Sequence, residues 1–506
     1  MSLAVLRSRA LAGMEALCVN VEVHLSNGLP SMTIVGLPDT EVREAKDRVR
    51  AALINAGFSI PNRRITINLA PADLPKESGR FDLPIAIGIL AASGQIPGHE
   101  LDQYEFAGEL SLSGELRAVR GALAMTFAIQ GSQEGRARAF ILPQVNADEA
   151  ALVSDARVYP AATLLQVCAH FTSSDGAARL ARHVPRGDAA RISYPDFADV
   201  KGQTTTKTAL EVAAAGCHSI LLIGPPGAGK TMLASRFAGL LPEMTDQEAL
   251  ESAAVQSLTG GFSSERWKVR PFRSPHHTTS GVALVGGGNV PRPGEISLAH
   301  NGVLFLDELP EFDRRVLEVL RQPLESGKVT ISRAAQQADF PARFQLVAAM
   351  NPCPCGYLGH TSGKCHCTHD AVLRYQARIS GPLLDRIDLQ VEVAAVDPET
   401  LAVAAAGESS AVIGERVRRA RERQMARQHT TNHNMSTRDL DRYCRLGVEA
   451  EQTLRETMLK LHWSARAYQR VLKVSRTLAD LEGCERITAN HVSQAIGFRR
   501  GLRPQP

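Results

Sequence analysis

Residues 224–231 read Gly-Pro-Pro-Gly-Ala-Gly-Lys-Thr, which fits the phosphate-binding loop pattern G-x-x-x-x-G-K-[ST] at each constrained position. The apolar run 219–223 leads into this octet and the helix-forming run 232–238 follows it, so the strand, loop and helix order that the pattern requires is present. The alternative is a glycine-rich turn that binds nothing. The predicted nucleotide contacts come from Gly224, Pro225, Pro226, Gly227, Ala228, Gly229, Lys230 and Thr231.

The chemistry of this loop predicts ATP and Mg²⁺ as its ligands. Glycines let backbone N–H groups converge on phosphate oxygens, and the N-terminus of the following helix adds partial positive charge. Lys230 would reach the β and γ phosphates, and the Thr231 hydroxyl would ligate Mg²⁺.

Composition places the chain among ordinary globular proteins with room for about three domains, since it has 506 residues, 44% of them hydrophobic and 22% charged. Its net charge is only +4, so a nucleic-acid surface would have to be a local patch or a ring formed by several copies. The sequence contains neither an apolar run long enough to span a bilayer nor a secretory signal. These two observations predict a cytoplasmic protein without a membrane partner.

Changes in pattern along the chain predict four segments. Residues 1–171 alternate short β-like and helical runs, as in an α+β domain, and residues 172–196 are a polar linker. From 197 to 395 strands alternate with helices, as in a parallel α/β sheet, and residues 396–506 are helical.

Two further strands of the α/β part end in polar residues suited to hydrolysis. The apolar run 302–306 ends in Asp307, which would complete the Mg²⁺ shell, and Glu308, which would polarise the attacking water. The run 344–350 ends at Asn351, whose amide could hold the water or the γ-phosphate. The alternatives are solvated carboxylates at a strand end and an asparagine that caps a turn.

These strands, with the helical segment behind them, resemble the AAA+ ATPases. The resemblance gives Asn351 the role of sensor 1 and Arg466, at the start of a lid helix, that of sensor 2. The run 381–388 resembles the segment that carries the arginine finger, which makes Arg386 the candidate for a guanidinium acting on a neighbouring subunit's nucleotide. A local salt bridge of Arg386 to Asp385 or Asp388 is the alternative.

The runs 270–280, 285–288 and 293–300 resemble the magnesium-chelatase-like branch of AAA+ proteins, in which an insert faces the central pore. Adjacent histidines, 276 and 277, are expected to point apart, so a structural or interface role is favoured over a joint metal site. Residues 327–340 predict a β-hairpin with Arg333 near its tip. Lys328 and Arg333 are the candidate DNA contacts, and an ordinary surface hairpin is the alternative.

Over nearly its full length the chain resembles the ComM/YifB family, hexameric ring helicases linked to branch migration of DNA during natural transformation. The resemblance implies single-stranded and branched DNA, further copies of the chain and recombination proteins as partners. A motor that remodels proteins, or one that inserts metal as in the chelatases, is the alternative. The amino-terminal module is expected to distinguish this family from chelatase subunits.

That module, through runs 68–84 and 106–110, resembles the Lon protease domain. The position of the serine nucleophile falls on Asp82 and that of the lysine near Leu123, so the module is expected to be catalytically inactive.

Four of the nine cysteines cluster between residues 353 and 367. Four thiolates can bind Zn²⁺ tetrahedrally, so a structural zinc site is predicted, with free thiols as the alternative. The candidate ligands are Cys353, Cys355, Cys365 and Cys367.

Overall fold

The computed structural model describes residues 2–12, 15–74, 76, 78–132, 138–173, 178–184, 194–288, 291–332, 337–360, 363–395 and 407–499. In this part the chain has a mixed α/β fold with two large sheets, each packed against helices. Strands from the first third of the chain form one sheet, and strands between residues 220 and 392 form the other.

The amino-terminal part contains, in chain order, β1 (Leu3–Ala12), β2 (Glu15–Ser26), β3 (Ser31–Val35), α1 (Thr40–Asn55), β4 (Arg64–Ala70), α2 (Asp82–Ala92), β5 (Tyr104–Phe106), β6 (Glu109–Leu110), β7 (Leu116–Arg117), α3 (Ala122–Gly131), β8 (Ala139–Pro143), α4 (Ala147–Ala150), β9 (Val158–Ala161) and α5 (Leu164–Thr172). Its seven-stranded sheet has the order β3-β4-β2-β1-β5-β8-β9 and is mixed, because β1, β2 and β4 pair antiparallel and the remaining neighbours pair parallel. Helix α2 packs on β1 and β2, and Gly88 allows this approach because a Cβ there would lie 2.6 Å from Val23 Cγ2.

The central part contains α6 (Thr204–Gly216), β10 (Ile220–Ile223), α7 (Lys230–Phe237), α8 (Asp246–Ser257), β11 (Phe272–Arg273), α9 (Gly281–Val285), β12 (Gly286–Gly287), β13 (Arg292–Pro293), α10 (Glu295–Leu298), β14 (Val303–Leu306), α11 (Arg314–Val319), α12 (Arg321–Ser326), β15 (Lys328–Ser332), β16 (Gln337–Pro341), β17 (Gln345–Met350), α13 (His369–Gln376), α14 (Gly381–Leu384) and β18 (Leu389–Glu392). Its five-stranded sheet has the order β11-β14-β17-β10-β18, and all neighbours pair parallel. The parallel sheet predicted from the alternation of strands and helices is therefore present, as in an AAA+ chelatase-like fold.

Both faces of this sheet are covered, as parallel sheets require. Ile220 and Leu222 of β10 belong to one buried cluster, which the carboxyl-terminal helices complete, and Leu221 and Ile223 belong to another on the opposite face. Since both rows of side chains are buried, the strands read as continuous apolar runs instead of alternating ones.

The carboxyl-terminal part is helical, as predicted, with α15 (Ser410–Gln428), α16 (Thr437–Tyr443), α17 (Val448–Leu461), α18 (Ala465–Glu482) and α19 (Ala489–Gly497). Thr488 caps α19 by accepting a hydrogen bond from the His491 N–H. Helix α15 packs on α6 and α18, which joins this part to the core of the parallel sheet.

Helix α8 links the two sheets. Ala253 and Ala254 of α8 are buried together with apolar residues of α3, and the Ser257 hydroxyl donates to the Glu149 carboxylate of the amino-terminal part. On its other side α8 contacts the segment before β14, where the Ser252 hydroxyl donates to the His300 carbonyl at 3.2 Å. Among the residues described, no helix is both long and apolar enough to cross a membrane.

Candidate active site

The glycine-rich loop lies where β10 ends and α7 begins, as predicted. Gly227 and Gly229 have φ angles of 79° and 85°, a conformation that favours glycine. Gly224 has a different role, because a Cβ there would lie 2.4 Å from the Val393 carbonyl oxygen, beyond the end of β18. The sequence pattern of the loop therefore follows from backbone geometry at three separate positions.

Lys230 is the first residue of α7 and is buried. Its Nζ donates to the carbonyl oxygens of Gly224 at 2.6 Å and Pro225 at 3.0 Å and to Asn351 Oδ1 at 3.0 Å. Burial lowers the pKa of Lys230, while the carboxylates of Asp307 and Glu308 act to raise it. Lys230 and Asn351, which are 121 residues apart in the chain, therefore meet at one site.

The acidic pair, Asp307 and Glu308, lies near the loop. Strands β14, β17 and β10 are consecutive in the sheet and run in the same direction, so their carboxyl ends lie together. The Thr231 hydroxyl donates to Asp307 Oδ2 at 2.7 Å, and Asp307 Oδ1 accepts from the Glu308 N–H at 2.9 Å. A hydroxyl and a carboxylate are the hard oxygen donors that suit Mg²⁺, so the residues present fit this ion.

Glu308 has a φ of 52°, which is unusual for a residue with a side chain, and its side chain is 53% exposed. Its Oε2 lies 3.2 Å from His277 Nδ1. The sequence interpretation did not find this contact. The signal that could have indicated this contact is the position of His277, four residues after β11, because β11 pairs with β14.

The expectation that the paired histidines point apart is wrong. The rings of His276 and His277 lie with centroids 4.1 Å apart and planes tilted by 34°. The reason is a turn, closed by the Thr279 N–H donating to the His276 carbonyl at 2.9 Å, which brings the two rings together. Neither residue belongs to a group of potential metal ligands in the described ranges.

Arg386 follows α14 and is 6% exposed. Its Nη1 donates to the Pro382 carbonyl at 2.8 Å and its Nη2 contacts the Glu325 carboxylate, so the local partner is Glu325 and neither Asp385 nor Asp388. In this conformation the guanidinium is not presented at the surface. Glu325 itself is half exposed and lines a cavity of about 710 Å³. Ser219, which lies just before β10, lines the same cavity. The cavity is therefore at the opposite end of the strand from the glycine-rich loop.

Arg466 is exposed in the first turn of α18, whose N-cap is Ser464. One turn further on, Arg470 contacts the buried carboxylate of Asp388 instead of solvent. The same carboxylate lies 2.7 Å from His433 Nδ1 and 3.2 Å from His218 Nδ1. Asp388 therefore connects the segment after α14 to the helical part.

Lys328 begins β15 of the predicted hairpin, which β15 and β16 form in the structure. Its side chain is 54% exposed, and its Nζ donates to Asp339 Oδ2 at 2.9 Å across the hairpin. Arg333, the other candidate DNA contact, lies outside the described residues.

The four clustered cysteines come together. Cys353 Sγ lies 3.4 Å from Cys355 Sγ and 3.8 Å from Cys365 Sγ, and all four sulfur atoms, including that of Cys367, lie within 4.8 Å of one another. Tetrahedral zinc with Zn–S bonds near 2.3 Å requires sulfur atoms about 3.8 Å apart, so this set fits Zn²⁺. Burial raises the pKa of Cys353 to about 12, whereas the Tyr357 N–H lowers that of Cys355 to about 6.

The cysteine segment also touches the glycine-rich loop. Gly356 has a φ of 85°, and a Cβ there would lie 2.7 Å from Pro226 Cδ. Because Pro226 belongs to the loop and Asn351 lies two residues before Cys353, this segment and the nucleotide site share one wall.

We expect Gly356→Ala to lower both the free energy of unfolding and the affinity for ADP. The left-handed backbone costs a non-glycine residue about 1–2 kcal/mol, and the overpacking against Pro226 adds about 1–3 kcal/mol. Gly359→Ala is the matched control, because its φ is 77° and a Cβ would meet nothing within 4 Å. Denaturant unfolding and ADP titration measure both quantities. Equal effects of the two substitutions on ADP affinity would contradict the shared wall.

In the amino-terminal part, the residues at the expected protease positions offer no serine–lysine pair. Asp82 is buried at the start of α2, where Arg48 Nε donates to its Oδ2 at 2.8 Å, and burial raises its pKa to about 6. Leu123 is buried in α3. These two positions therefore hold a carboxylate and an aliphatic side chain.

Three family models match the chain. They are described as "Subunit ChlI of Mg-chelatase" over residues 21–146, "Magnesium chelatase, subunit ChlI" over 196–401, and "Magnesium chelatase, subunit ChlI C-terminal" over 407–499. The first model carries the name of a chelatase subunit. The expectation that the amino-terminal module distinguishes this family from chelatase subunits stays a prediction.

Two curated relatives are similar over nearly all of their length and of this chain. The competence protein ComM of Haemophilus influenzae is 51% identical, with 99% of this chain and 98% of the relative covered. The protein YifB of Escherichia coli is 50% identical, with 99% and 97% covered. A chloroplast magnesium-chelatase subunit of Arabidopsis thaliana is 25% identical, with 64% of this chain and 79% of that protein covered. This kinship implies the use of a nucleotide and Mg²⁺ and suggests ATPase activity. The chain belongs to the ComM/YifB family of magnesium-chelatase-like AAA+ proteins.

Proposed function

We propose that this chain is an ATP-driven DNA motor that moves branched junctions during recombination, in the setting of competence. The observation that carries the ATPase part is the meeting of Lys230 with Asn351 and of Thr231 with Asp307 at the ends of three parallel strands. The DNA part rests on the similarity to ComM, a competence protein, over nearly the whole chain.

In this proposal each residue of the site has one task. Lys230 neutralises the β and γ phosphates, and the loop N–H groups hold their oxygens. Thr231 and Asp307 hold Mg²⁺, which neutralises phosphate charge when bound with ATP. Glu308 polarises the attacking water, and Asn351 orients it or the γ-phosphate.

The proposal further assigns the motor to a hexameric ring. Arg386 would act on the nucleotide of the next subunit, which requires that it leave Glu325, and Arg466 would act from the helical part of its own subunit. Lys328 and Arg333, repeated around a ring, would provide the basic contacts with DNA that a net charge of +4 does not provide in one copy. The amino-terminal part would be an inactive Lon-like module that forms a second tier.

We also place a structural Zn²⁺ on Cys353, Cys355, Cys365 and Cys367, supported by the spacing of their sulfur atoms. None of the nine cysteines forms a disulfide, so the four thiols of the cluster are available to ligate zinc.

A second candidate function is a motor of the chelatase or protein-remodelling type that does not act on DNA. The names of the three matching family models favour this alternative.

The two functions differ in their response to DNA. ATP turnover should be measured with and without single-stranded DNA, and movement of a labelled four-way junction should be followed with wild type and with Lys230→Ala. We expect stimulation by DNA and junction movement by the wild type alone. ATP turnover that DNA does not stimulate, together with a stationary junction, would exclude the DNA motor.

For zinc, we expect about one ion per wild-type chain and a loss of most of it in Cys365→Ser, because three thiolates hold zinc less tightly than four. Metal analysis of purified protein measures this. Cys18→Ser, in β2 and away from the cluster, is the control and should keep its zinc. Wild-type protein without zinc would contradict the assignment.

A further inference from the structure

We infer that a cleft between α11 and α13 binds the phosphate backbone of single-stranded DNA. Its walls are residues 310–312, which follow β14, then Arg314 of α11, Arg374 of α13, and Ala377 and Arg378 just after α13. We call it the basic cleft. The inference rests on the proposed function, which supplies DNA as the ligand, and it adds a contact surface apart from the hairpin.

The basic cleft carries positive charge that the folded chain leaves largely uncompensated. Its three arginines and one glutamate, Glu311, give a net charge of +2. Within the part of the chain that the structure describes, only Arg378 of the three forms an ion pair, with its Nη1 2.7 Å from Glu311 Oε2. Arg374 Nε donates to the Asp370 carbonyl at 3.2 Å, which satisfies one N–H but does not neutralise the charge. Arg314 and Arg374 are both exposed, so their guanidinium groups are open to an anion from outside.

Other basic surfaces of the chain are neutralised by carboxylates of their own. On α15, Arg418 pairs with Glu415 and Glu422. On the hairpin of β15 and β16, Lys328 pairs with Asp339. The charge of these two surfaces is used within the chain, whereas that of the basic cleft is available to a ligand.

Phosphate groups are the anions that suit this cleft. A guanidinium presents several N–H groups in one plane and donates to two phosphate oxygens at once. The cleft has a volume of about 510 Å³, which is in the range of pockets that enclose one small ligand. It therefore admits a short stretch of one DNA strand, whose successive phosphates reach arginines on both walls.

Among the described residues of the cleft, no aromatic side chain offers an open face on which a base could stack. Phe312 lines the cleft but is only 4% exposed. Tyr375 is buried beneath Arg378, whose guanidinium lies 5.9 Å from the centroid of the ring. Stacking on aromatic side chains is how many proteins hold the bases of a single strand. The basic cleft therefore contacts the backbone, and its binding is independent of base sequence.

The test is the salt dependence of DNA binding by the full-length protein, followed by fluorescence anisotropy of labelled single-stranded DNA. For Arg314→Ala and for Arg374→Ala, we expect the affinity to fall about three- to tenfold at low salt. The slope of log K against log salt concentration should become shallower by about 0.7 for each lost phosphate contact, and the double variant should lose about twice as much. Two strands of unrelated base sequence should show equal losses.

Three controls separate a phosphate contact from a change in folding or assembly. Arg374→Lys keeps the charge but not the planar fork, so it should keep the wild-type slope with a lower affinity. Arg418→Ala, on α15, should bind DNA as wild type does. Thermal unfolding and the mass of the assembly, measured by light scattering, should be equal in all variants.

A wild-type slope in the double variant would overturn the basic cleft and leave the proposed function standing. Loss of assembly in that variant would assign the cleft to a contact between copies of the chain and would also overturn it. If the slopes change as expected but wild type moves no junction, the proposed function fails and the cleft stands. Wild-type protein that binds no DNA would overturn both.

Discussion

Lys230→Ala is expected to reduce ATP turnover by about 100-fold or more, the effect typical of losing a group that stabilises transition-state charge. Lys230 is the first residue of α7 and is buried, and its ammonium donates to Gly224, Pro225 and Asn351, which hold it at the glycine-rich loop. Phosphate release under saturating ATP measures the loss, and junction movement should stop with it.

Lys460→Ala is the matched control, because this lysine is exposed at the end of α17. It should retain wild-type turnover. Turnover by Lys230→Ala within tenfold of wild type would contradict the role given to the glycine-rich loop. Glu308→Gln serves as the control for a contaminating ATPase, because a contaminant would give the same residual turnover in both variants.

Asp388→Ala is expected to lower the free energy of unfolding by about 3–5 kcal/mol, since removing one partner of a buried ionic network leaves the others uncompensated. The side chain of Asp388 is 1% exposed and is contacted by Arg470, His218 and His433. Arg470, whose side chain is 17% exposed, would then lose its carboxylate partner. Denaturant unfolding monitored by circular dichroism measures the loss.

Asp385→Ala tests whether the effect belongs to the network. Asp385 lies three residues earlier in the same segment and is 40% exposed, 3.8 Å from Arg499 Nη2. We expect a change below about 1 kcal/mol, as for other partly exposed pairs. Similar losses for the two substitutions would show that the segment, and not the buried carboxylate, is responsible.

The same network predicts a pH dependence. Although burial acts to raise it, Arg470 and His433 hold the pKa of Asp388 well below its ordinary value. A carboxylate whose pKa is lower in the folded state stabilises the fold above its unfolded pKa, about 4, and this stabilisation is lost as the pH falls further. The difference in stability between wild type and Asp388→Ala should therefore be full at pH 7 and shrink below about pH 4.

Much of the fold could be predicted from local pattern. The runs 302–306 and 344–350 became β14 and β17 within one residue, and the lid helix expected to begin near Arg466 is α18. These elements have strong signals, because a strand buried on both faces is a continuous apolar run and a helix with Ser464 before it has a visible cap. Lys230 and Asn351 meet because parallel strands bring their carboxyl ends to one edge.

Side-chain partners were predicted less well. Arg386 pairs with Glu325, 61 positions earlier, although two aspartates stood beside it in the sequence. The paired histidines were expected to point apart, but they lie in a turn that brings their rings together. In each case the nearest charge or the simplest backbone was assumed, and the packing of distant elements decided otherwise.

The sequence by itself determined which chemical groups this protein has and where its strands and helices run: a loop for phosphate, two carboxylates and an amide at strand ends, four close thiols. These depend on short-range order, such as backbone freedom at glycine and the period of apolar residues. Only the tertiary structure decided that His277 faces Glu308, that Asp388 joins the sheet to α18, and that Gly356 abuts Pro226. Those contacts join elements that are far apart in the chain, and their geometry is set by how whole helices and sheets pack, which no local pattern encodes.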